Sequence, residues 1–427
     1  MKNTKQKKIL ILSGIIQMVD VVKTAQKMGL YTIVTDRDSD SPAKKFADKS
    51  YDISTSNTEK LIEIAKAEGI HGVFNAFDDV NTWNAQALCQ ELGLPFYATI
   101  EQLQICSDKN TFKEYCRKYG APVIEEYELG GNLSDENLAA LTYPVIVKPV
   151  DSYASQGITV CHSPEEVQSA YEKALRFSKS KKVIVERFVD ESYGVQTIYT
   201  IQNGNILLNG VADRFVHKHS NEFPPLPIAM IFSSQHREQY IESVDPYIRK
   251  LIEGLGIRNG VVFIQSLFEN DSFYIYEMGF RLGGSQMYSI IEKQTGINQV
   301  EMMLTLALGE SIDHLDMSPY DNGHMPYPSC NLPILLSGGI IGKVSGIEAI
   351  QELPAVIHTA ISKSPGDEVL ITGSYTQMFG RFTIVANSME ELHDTIDTIY
   401  HHLKIVSTEG EDMLLVRYQP KAASVYE

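Results

Sequence analysis

The sequence predicts a multidomain protein of mixed α/β and α+β class. Three observations support this class: the length of the chain, an alternating strand and helix pattern near its start, and a hairpin pattern around residue 270. The 427 residues correspond to about three domains at ~150 residues each. Hydrophobic residues make up 43% of the chain and charged residues 21%, a composition that excludes a fibrous, disordered or low-complexity protein.

Residues 1–104 are predicted to form a Rossmann-like domain, which is a parallel sheet with helices on both faces. Short β-branched runs such as KILILSG and YTIVTD alternate there with helical segments such as TEKLIEIAKAEG. The turn after the first strand, residues 13–18, lacks the Gly-x-Gly-x-x-Gly fingerprint of dinucleotide-binding domains. We therefore expect this domain to be a scaffold or substrate platform rather than an NAD site.

Residues 105–310 and 311–427 are predicted to form two further domains. Within the first of these, residues 143–160 predict a strand, a long polar loop and a second strand. The segment 257–281 predicts a β-hairpin. After residue 311 a proline-rich connection leads to a mixed α/β tail, which predicts a small C-terminal domain.

The charge and the cysteines exclude several classes of function. The 37 Lys and Arg against 54 Asp and Glu give a net charge of -17, which disfavours nucleic acid and anionic membranes as partners. A small anionic ligand stays compatible, because a few cationic side chains and a divalent cation can reverse the field in a cleft. The five cysteines are scattered and odd in number, so they predict buried free thiols in a reducing, cytoplasmic compartment rather than disulfides or zinc ligands.

The apolar runs of the chain predict neither a secretion signal nor a membrane span. The run from Ile9 to Leu12 is too short for the apolar region of a signal peptide. No uninterrupted apolar stretch reaches the ~18 residues that a membrane-spanning helix needs.

Gln265 and Glu277 are the most informative pair of residues. If the hairpin turns at residues 270–272, Gln265 lies six residues before its centre and Glu277 six after, so the two are cross-strand neighbours. Such side chains have Cβ atoms roughly 4.5–5.5 Å apart on one face, close enough to share a hard cation such as magnesium. Arg281 has the strand parity to point its guanidinium at the same place. An exposed polar pair without a metal is the alternative interpretation.

Lys148 and the polar loop that follows it form a second candidate site. The lysine ends a predicted strand, and the loop that leads to the next strand contains Asp151, Ser152, Ser155, Gln156 and Gly157. An ammonium group and loop amides in this arrangement can clamp phosphates. A surface hairpin with a solvated lysine is the alternative interpretation.

Five short motifs occur in a characteristic order. They are Asp108-Lys109, Val147-Lys148-Pro149, a loop that ends Ser155-Gln156-Gly157-Ile158, Val185-Glu-Arg-Phe-Val189, and Tyr276-Glu-Met-Gly-Phe-Arg281. In this order they resemble the ATP-grasp superfamily of carboxylate-amine and carboxylate-thiol ligases, including biotin carboxylase, carbamoyl-phosphate synthetase and L-amino acid ligases. The resemblance covers residues 5–310 and extends loosely into the tail. It implies a pre-ATP-grasp domain, an ATP-grasp domain with a mobile lid over residues 142–190, and a small C-terminal domain.

The resemblance also implies a role for each matching residue. Lys109 and Lys148 would contact the phosphates of ATP, while Ser155, Gln156 and Gly157 would form the mobile loop over them. Glu186 and Val189 would meet the adenine edge, largely through backbone groups, and Glu191 or Asp190 would contact the ribose. Gln265 and Glu277 would hold Mg²⁺ or Mn²⁺. Arg281, with Lys148, would act in catalysis by stabilising the transferred phosphoryl group or gripping the substrate carboxylate.

Two residues depart from the usual motif of the superfamily. Gln265 is neutral where Glu is common, although carbamoyl-phosphate synthetase also has Gln at the matching place. Gly279 stands where Asn is common, so one metal ligand is absent or replaced. These departures leave ATP binding as the expectation and weaken the case for two-metal catalysis.

The resemblance implies a ligase that activates a carboxylate as an acyl phosphate, which an amine then attacks. An amino acid or a small derivative of one is the expected substrate class. The alternatives are a bicarbonate-, formate- or purine-pathway-type ligase of the same superfamily, or a nucleotide-binding regulatory protein without turnover. Expected partners are a small carboxylate and an amine, and the C-terminal domain is compatible with a homodimer.

Overall fold

The computed structural model describes residues 6–127, 129, 133–149, 157–178, 180–190, 193–218, 225–315, 320–372 and 374–419. Several separate sheets with flanking helices follow one another along the chain, so the predicted mixed α/β and α+β multidomain class is confirmed. Within these residues, the model contains no helix with the length and apolar character that a membrane span requires.

The N-terminal segment folds as a four-stranded parallel sheet, as its alternating pattern predicts. The strand order is β3-β2-β1-β4. Its strands are β1 (Lys8–Leu12), β2 (Tyr31–Thr35), β3 (Lys49–Tyr51) and β4 (Gly72–Phe74). Its helices are α1 (Met18–Lys27), α2 (Thr58–Glu68) and α3 (Asp79–Leu92).

A small antiparallel sheet follows, in the region predicted as a lid. Two helices, α4 (Ile100–Ser107) and α5 (Lys109–Tyr119), lead into it. The sheet has the order β5-β8-β6-β7, with strands β5 (Glu126–Tyr127), β6 (Val145–Pro149), β7 (Thr159–Cys161) and β8 (Val183–Arg187) and helices α6 (Asp135–Ala139) and α7 (Pro164–Phe177). Val145, Val147 and Val185 pack on α7 in a separate small core, so the other face of the sheet is left for polar side chains.

An antiparallel sheet of eight strands forms the centre of the molecule. Its order is β13-β12-β9-β10-β11-β14-β18-β16. The strands are β9 (Tyr193–Gln202), β10 (Asn205–His217), β11 (Leu226–Phe232), β12 (Gly260–Glu269), β13 (Ser272–Gly279), β14 (Ser329–Leu335), β16 (Val356–Ile361) and β18 (Met378–Val385). The associated helices are α8 (Arg237–Ser243), α9 (Asp245–Gly254), α10 (Tyr288–Thr295) and α11 (Gln299–Ala307).

The two faces of the eight-stranded sheet pack against different partners. Val262 and Ile264 share a core with α4, α5, α8 and α9. Val261, from the opposite face, shares a core with the N-terminal sheet and with α10 and α11. Since side chains alternate along a strand, Gln265 lies on the face that turns toward the N-terminal segment.

The remaining C-terminal elements form a three-stranded sheet and two helices. They are β15 (Gly339–Ser345), β17 (Glu368–Val369), β19 (Lys404–Ser407), α12 (Ile347–Gln351) and α13 (Met389–His402). Residue 104 lies inside α4, and the eight-stranded sheet takes strands from both sides of residue 310. The division at 104 and 310 into three domains stays a prediction.

Candidate active site

Gln265 and Glu277, which we call the hairpin pair, are cross-strand neighbours on β12 and β13 as predicted. The turn that joins the two strands is shorter than the predicted three-residue turn. The turn consists of Asn270 and Asp271, both with positive φ, and a β-bulge at Tyr276 shifts the register by one residue. A two-residue turn without the bulge would place Tyr276 opposite Gln265, so the bulge is what brings the carboxylate to the glutamine.

A third strand, β9, places Gln196 beside the hairpin pair. Gln265 pairs with Gln196 on β9, and its amide Nε2 donates to the Oε1 atom of Gln196 at 3.2 Å. The hydroxyl of Tyr276 donates to the Oε1 atom of Gln265 at 2.6 Å. One carboxylate and two amide side chains therefore stand side by side on one face of the sheet.

The donor chemistry of this row fits magnesium bound together with a nucleotide. Among the residues that the structure describes, no group of three or more His, Cys, Asp or Glu side chains could hold a metal alone. Magnesium commonly takes one or two carboxylates and fills its other positions with water and phosphate oxygens. Glu277 would supply the carboxylate, and the Oε1 atom of Gln265, which here accepts from the hydroxyl of Tyr276, would supply a neutral oxygen.

Gly279 is a glycine because an aromatic ring lies where its side chain would be. A Cβ atom at Gly279 would be 2.1 Å from two ring carbons of Phe263, its cross-strand neighbour. The asparagine that is common at this position would therefore collide with the ring. The ring of Phe263 also lies 5.3 Å beneath the guanidinium of Arg281, so this space supports the arginine rather than a second metal ligand.

Arg281 is held by a carboxylate of the N-terminal segment. Its Nε and Nη2 atoms donate to the two carboxylate oxygens of Asp79 at 2.6 and 3.1 Å. The side chain of Arg281 is 9% exposed and that of Asp79 is 54% exposed. Asp79 is the first residue of α3, and the side chain of Asp78 caps this helix by accepting from the backbone N–H of Asn81 at 2.7 Å. The first turn of α3 therefore fixes the orientation of Arg281.

The second half of the site lies on the polar face of the small sheet. Glu186 on β8 and Lys148 on β6 form an ion pair, and the other carboxylate oxygen of Glu186 accepts from Lys113 on α5 at 2.7 Å. Lys113 also donates to Glu126 at 2.7 Å, and Glu126 binds Arg117 at 2.8 Å. We call these five residues the lysine cluster; Lys113 and Glu186 are its buried members.

Charges control protonation within the lysine cluster. Burial by itself would lower the pKa of Lys113, but the negative charge of Glu186 and the hydrogen bonds to Glu126 and Glu186 outweigh burial and raise it. Burial by itself would raise the pKa of Glu126, but the hydrogen bond and charge of Lys113 outweigh burial and lower it. Both groups are therefore charged at neutral pH.

The structure puts the remaining predicted site residues in different settings. Lys109 is exposed at the start of α5, where Asp108 caps the helix. Val189 is buried in a small apolar cluster with Ile124 and Leu267. Gly157 is buried with a φ of +80°. Five residues of the predicted sites lie outside the described part of the chain: Asp151, Ser152, Ser155, Gln156 and Glu191.

Arg187 connects the small sheet to the eight-stranded sheet. Its guanidinium forms an ion pair with Glu269 at the end of β12 and donates to the hydroxyl of Tyr274 at 2.5 Å. Glu269 also accepts from the backbone N–H of Asp190 at 3.1 Å. The segment that the resemblance assigns to adenine is therefore bonded to β12, the strand that carries Gln265.

The residues of this arrangement that were not predicted include Lys113, Asp79, Gln196 and Phe263. Lys113 carries the one available signal, since it lies four residues after Lys109 in a predicted helix and so shares its face. The contacts of Asp79 and Gln196 join segments far apart in the sequence, which no local pattern reveals.

Two family models match the chain. Residues 9–90 match the PylC-like N-terminal domain, and residues 108–315 match the carbamoyl-phosphate synthase L chain, ATP binding domain.

Two curated relatives are about a quarter identical to the chain over their aligned residues. The chain is 26% identical to the methylcrotonoyl-CoA carboxylase subunit alpha of Rattus norvegicus over 330 residues. This alignment covers 68% of the chain and 43% of that protein. The chain is 23% identical to the formate-dependent phosphoribosylglycinamide formyltransferase of Wolinella succinogenes over 280 residues. This alignment covers 64% of the chain and 69% of that protein. The chain thus spans less than half the length of the carboxylase subunit.

Solved structures share the fold over nearly the whole chain. Phosphoribosylglycinamide synthetase from Anaerococcus prevotii has a TM-score of 0.77 at 19% identity, with 95% of this chain and 100% of that chain covered. L-amino acid ligase from Bacillus licheniformis has a TM-score of 0.72 at 19% identity, with the same coverage. Biotin carboxylase from Campylobacter jejuni has a TM-score of 0.71 at 18% identity, with 96% and 92% covered. The predicted resemblance is confirmed.

Proposed function

Starting from a chain with the ATP-grasp fold, we propose that this protein is an ATP- and magnesium-dependent ligase that joins a carboxylate to an amine. The observation that carries the proposal is the hairpin pair, Gln265 on β12 and Glu277 on β13, with Arg281 two residues beyond the end of β13. A carboxylate, an amide oxygen and a guanidinium at one place form a set suited to a magnesium-bound phosphate.

The chemical problem is that a carboxylate does not condense with an amine in water, because its oxygen is a poor leaving group. Transfer of the γ-phosphoryl group of ATP to the carboxylate gives an acyl phosphate, and the amine then displaces phosphate from its carbonyl carbon. No side-chain nucleophile is required. The protein contributes positioning and charge.

The proposed roles fall to residues on two surfaces, the polar face of the small sheet and the face of the eight-stranded sheet that carries the hairpin pair. Lys148 and Lys109 neutralise phosphate oxygens, and Arg281 stabilises the oxygens of the transferred group or orients the substrate carboxylate. Glu277 and the amide oxygen of Gln265 would hold magnesium, which shields the phosphate charge when it is bound. Residues 155–157 would cover the acyl phosphate against water, and Glu186 and Val189 would offer backbone groups to adenine, with Glu191 or Asp190 at the ribose.

The substrates are proposed as a small carboxylate and an amine, with an amino acid or a small derivative among them. Likeness to L-amino acid ligase supports this class. Likeness to a formyltransferase named as formate-dependent supports the alternative of a one-carbon acid. We also propose a cytoplasmic location, supported by five buried free thiols, and a homodimer, supported by likeness to the biotin carboxylase domain dimer of Hydrogenobacter thermophilus 2-oxoglutarate carboxylase.

A regulatory ATP-binding protein is the second candidate function. The observation in its favour is that the ring of Phe263 fills the space beside Gly279, where a further metal ligand is common. A protein with one weakened metal position could bind nucleotide without turnover.

ADP release tests the proposal. Magnesium-ATP is supplied with pools of amino acids and of small carboxylates with amines, and the intact protein is compared with Lys148→Ala and Glu277→Ala. The exposed Lys118→Ala is the matched control. We expect ADP with particular pools only, loss of ADP in both site variants, and no change in the control. ATP binding without turnover in any pool favours the regulatory protein, and no ATP binding refutes both functions.

A further inference from the structure

The lysine cluster contains a buried cation to which the ligase mechanism gives no task. Lys113 lies on α5 with a side chain only 8% exposed. A buried ammonium is costly unless opposite charges surround it, and here Glu186 and Glu126 each bind it at 2.7 Å. Its position, one carboxylate away from Lys148, suggests a role in the phosphate site.

Glu186 presents a physical difficulty that Lys113 resolves. The side chain of Glu186 is 4% exposed and binds Lys148 directly. This contact orients the lysine, yet a lone buried carboxylate would also cancel much of the positive charge that Lys148 offers to phosphates. Because Lys113 balances the other oxygen of Glu186, the three residues together keep a net charge of +1.

The hydrogen-bonding capacity of Lys148 fits this arrangement. An ammonium group has three donors, and one of them meets Glu186. Two donors remain, and the side chain of Lys148 is 27% exposed, against 8% for Lys113. Lys148 can therefore reach phosphate oxygens while Glu186 still holds it, whereas Lys113 stays behind the carboxylate.

We propose that Lys113 is a positioning residue of the phosphate site: it neutralises Glu186, so that Glu186 orients Lys148 without cancelling the charge that binds the phosphates of ATP. The proposal rests on the proposed function, since it takes Lys148 as a phosphate ligand. Lys113 itself touches no substrate. Its effect is therefore specific for the phosphates and passes through Glu186.

The test compares the binding of magnesium-ATP and of adenosine by calorimetric titration. We expect Lys113→Met to weaken ATP binding by about tenfold, as loss of a nearby charge does in a partly buried site. Adenosine, which has no phosphates, should bind within about twofold of the unsubstituted protein. Lys113→Arg, which keeps the charge, should restore most of the ATP affinity, and the exposed Lys118→Met on the same helix should leave both ligands unchanged.

A double variant tests whether Lys113 acts through Glu186. In a Glu186→Gln background the carboxylate charge is gone, so Lys113→Met should change the ATP affinity by less than about twofold. This double variant also removes both buried charges together, which folded proteins tolerate better than the loss of one partner. It therefore remains measurable if Lys113→Met alone does not fold.

Three results overturn the proposal. Equal loss of ATP and adenosine binding in Lys113→Met would show a purely structural role. A tenfold effect that persists in the Glu186→Gln background would show that Lys113 does not act through Glu186. If the unsubstituted protein binds adenosine but gains nothing from the phosphates of ATP, the proposed function fails and the inference fails with it.

Discussion

The hairpin pair and the lysine cluster, the two halves of the proposed site, are held in place by different forces. Gln265 is fixed by neutral hydrogen bonds from Tyr276 and to Gln196, on strands that pair over most of their length. The lysine cluster is fixed by ion pairs that join a helix to two strands of a small sheet. Backbone register determines the first half, and charge balance determines the second.

This difference teaches which perturbations each half resists. Changes of pH and salt should leave the hairpin pair in register, because its supporting contacts carry no net charge. The same changes should loosen the lysine cluster, since screening and protonation weaken ion pairs. Steric changes in the hairpin should have the opposite selectivity.

Removing the negative charge of the hairpin pair should have the largest effect. We expect Glu277→Gln to lower kcat by about a thousandfold, because a neutral amide holds magnesium and its phosphate charge far less well than a carboxylate. Asp271→Asn, the same chemical change in the exposed hairpin turn, should keep full turnover. Steady-state ADP formation measures both, and normal turnover of Glu277→Gln would remove the carboxylate from the mechanism.

Loss of the Asp79 contact should have the next largest effect. Asp79→Asn removes the bidentate ion pair that orients Arg281, and we expect kcat/KM to fall about 10- to 100-fold, the usual result of a small displacement of a catalytic group. Glu91→Gln, at the other end of α3 and exposed, is the control. An unchanged kcat/KM for Asp79→Asn would show that the ion pair is not needed to position the arginine.

Filling the space at Gly279 should cost stability in the hairpin half. We expect Gly279→Ala to lower the free energy of unfolding by about 1–3 kcal/mol, because the new Cβ meets the ring of Phe263 at 2.1 Å. Denaturant titration measures the loss. The control is the double variant Gly279→Ala/Phe263→Leu, which has a smaller side chain beside the new Cβ and should recover part of the loss. A glycine such as Gly29 is unsuitable as a control, because its φ of +81° would strain an alanine. No destabilisation in the single variant would contradict the close contact.

Acid should weaken the lysine cluster, with the smallest effect of the four. The folded-state pKa of Glu126 lies below its ordinary value, so its contribution to stability is present above about pH 4.5 and is lost as the pH falls through the folded pKa. We expect Glu126→Gln to lower Tm at pH 7 and to lower it less at pH 3. A Tm difference that stays constant between these pH values would show that the ion pair contributes nothing.

The contrast between the two halves also explains what the sequence could predict. Counting residues on either side of a turn placed Gln265 opposite Glu277, and the pairing is confirmed although the turn is one residue shorter and a bulge at Tyr276 makes up the difference. This succeeded because the two residues are close in the chain. Lys113 and Glu186 are 73 residues apart, and Asp79 and Arg281 are 202 apart, so only the packed fold reveals these contacts.

The parallel N-terminal sheet was predictable for the same local reason. Strands and helices alternate there within short distances, and buried strands leave continuous apolar runs. The eight-stranded sheet was not predictable in extent, because β14, β16 and β18 join it from beyond residue 310 through long connections. Glu186 illustrates the limit at a single residue: its motif assigned its backbone groups to adenine and gave no sign that its side chain binds two lysines.

The most direct measurement of the proposed site is the dependence of ATP affinity on magnesium in the unsubstituted protein and in Glu277→Gln. ATP is titrated with excess Mg²⁺ and again with EDTA. If the hairpin pair holds the metal that bridges the phosphates, Mg²⁺ should strengthen ATP binding by about tenfold or more in the unsubstituted protein and by less than about twofold in the variant. An equal gain from Mg²⁺ in both proteins would contradict the placement of the metal at Gln265 and Glu277.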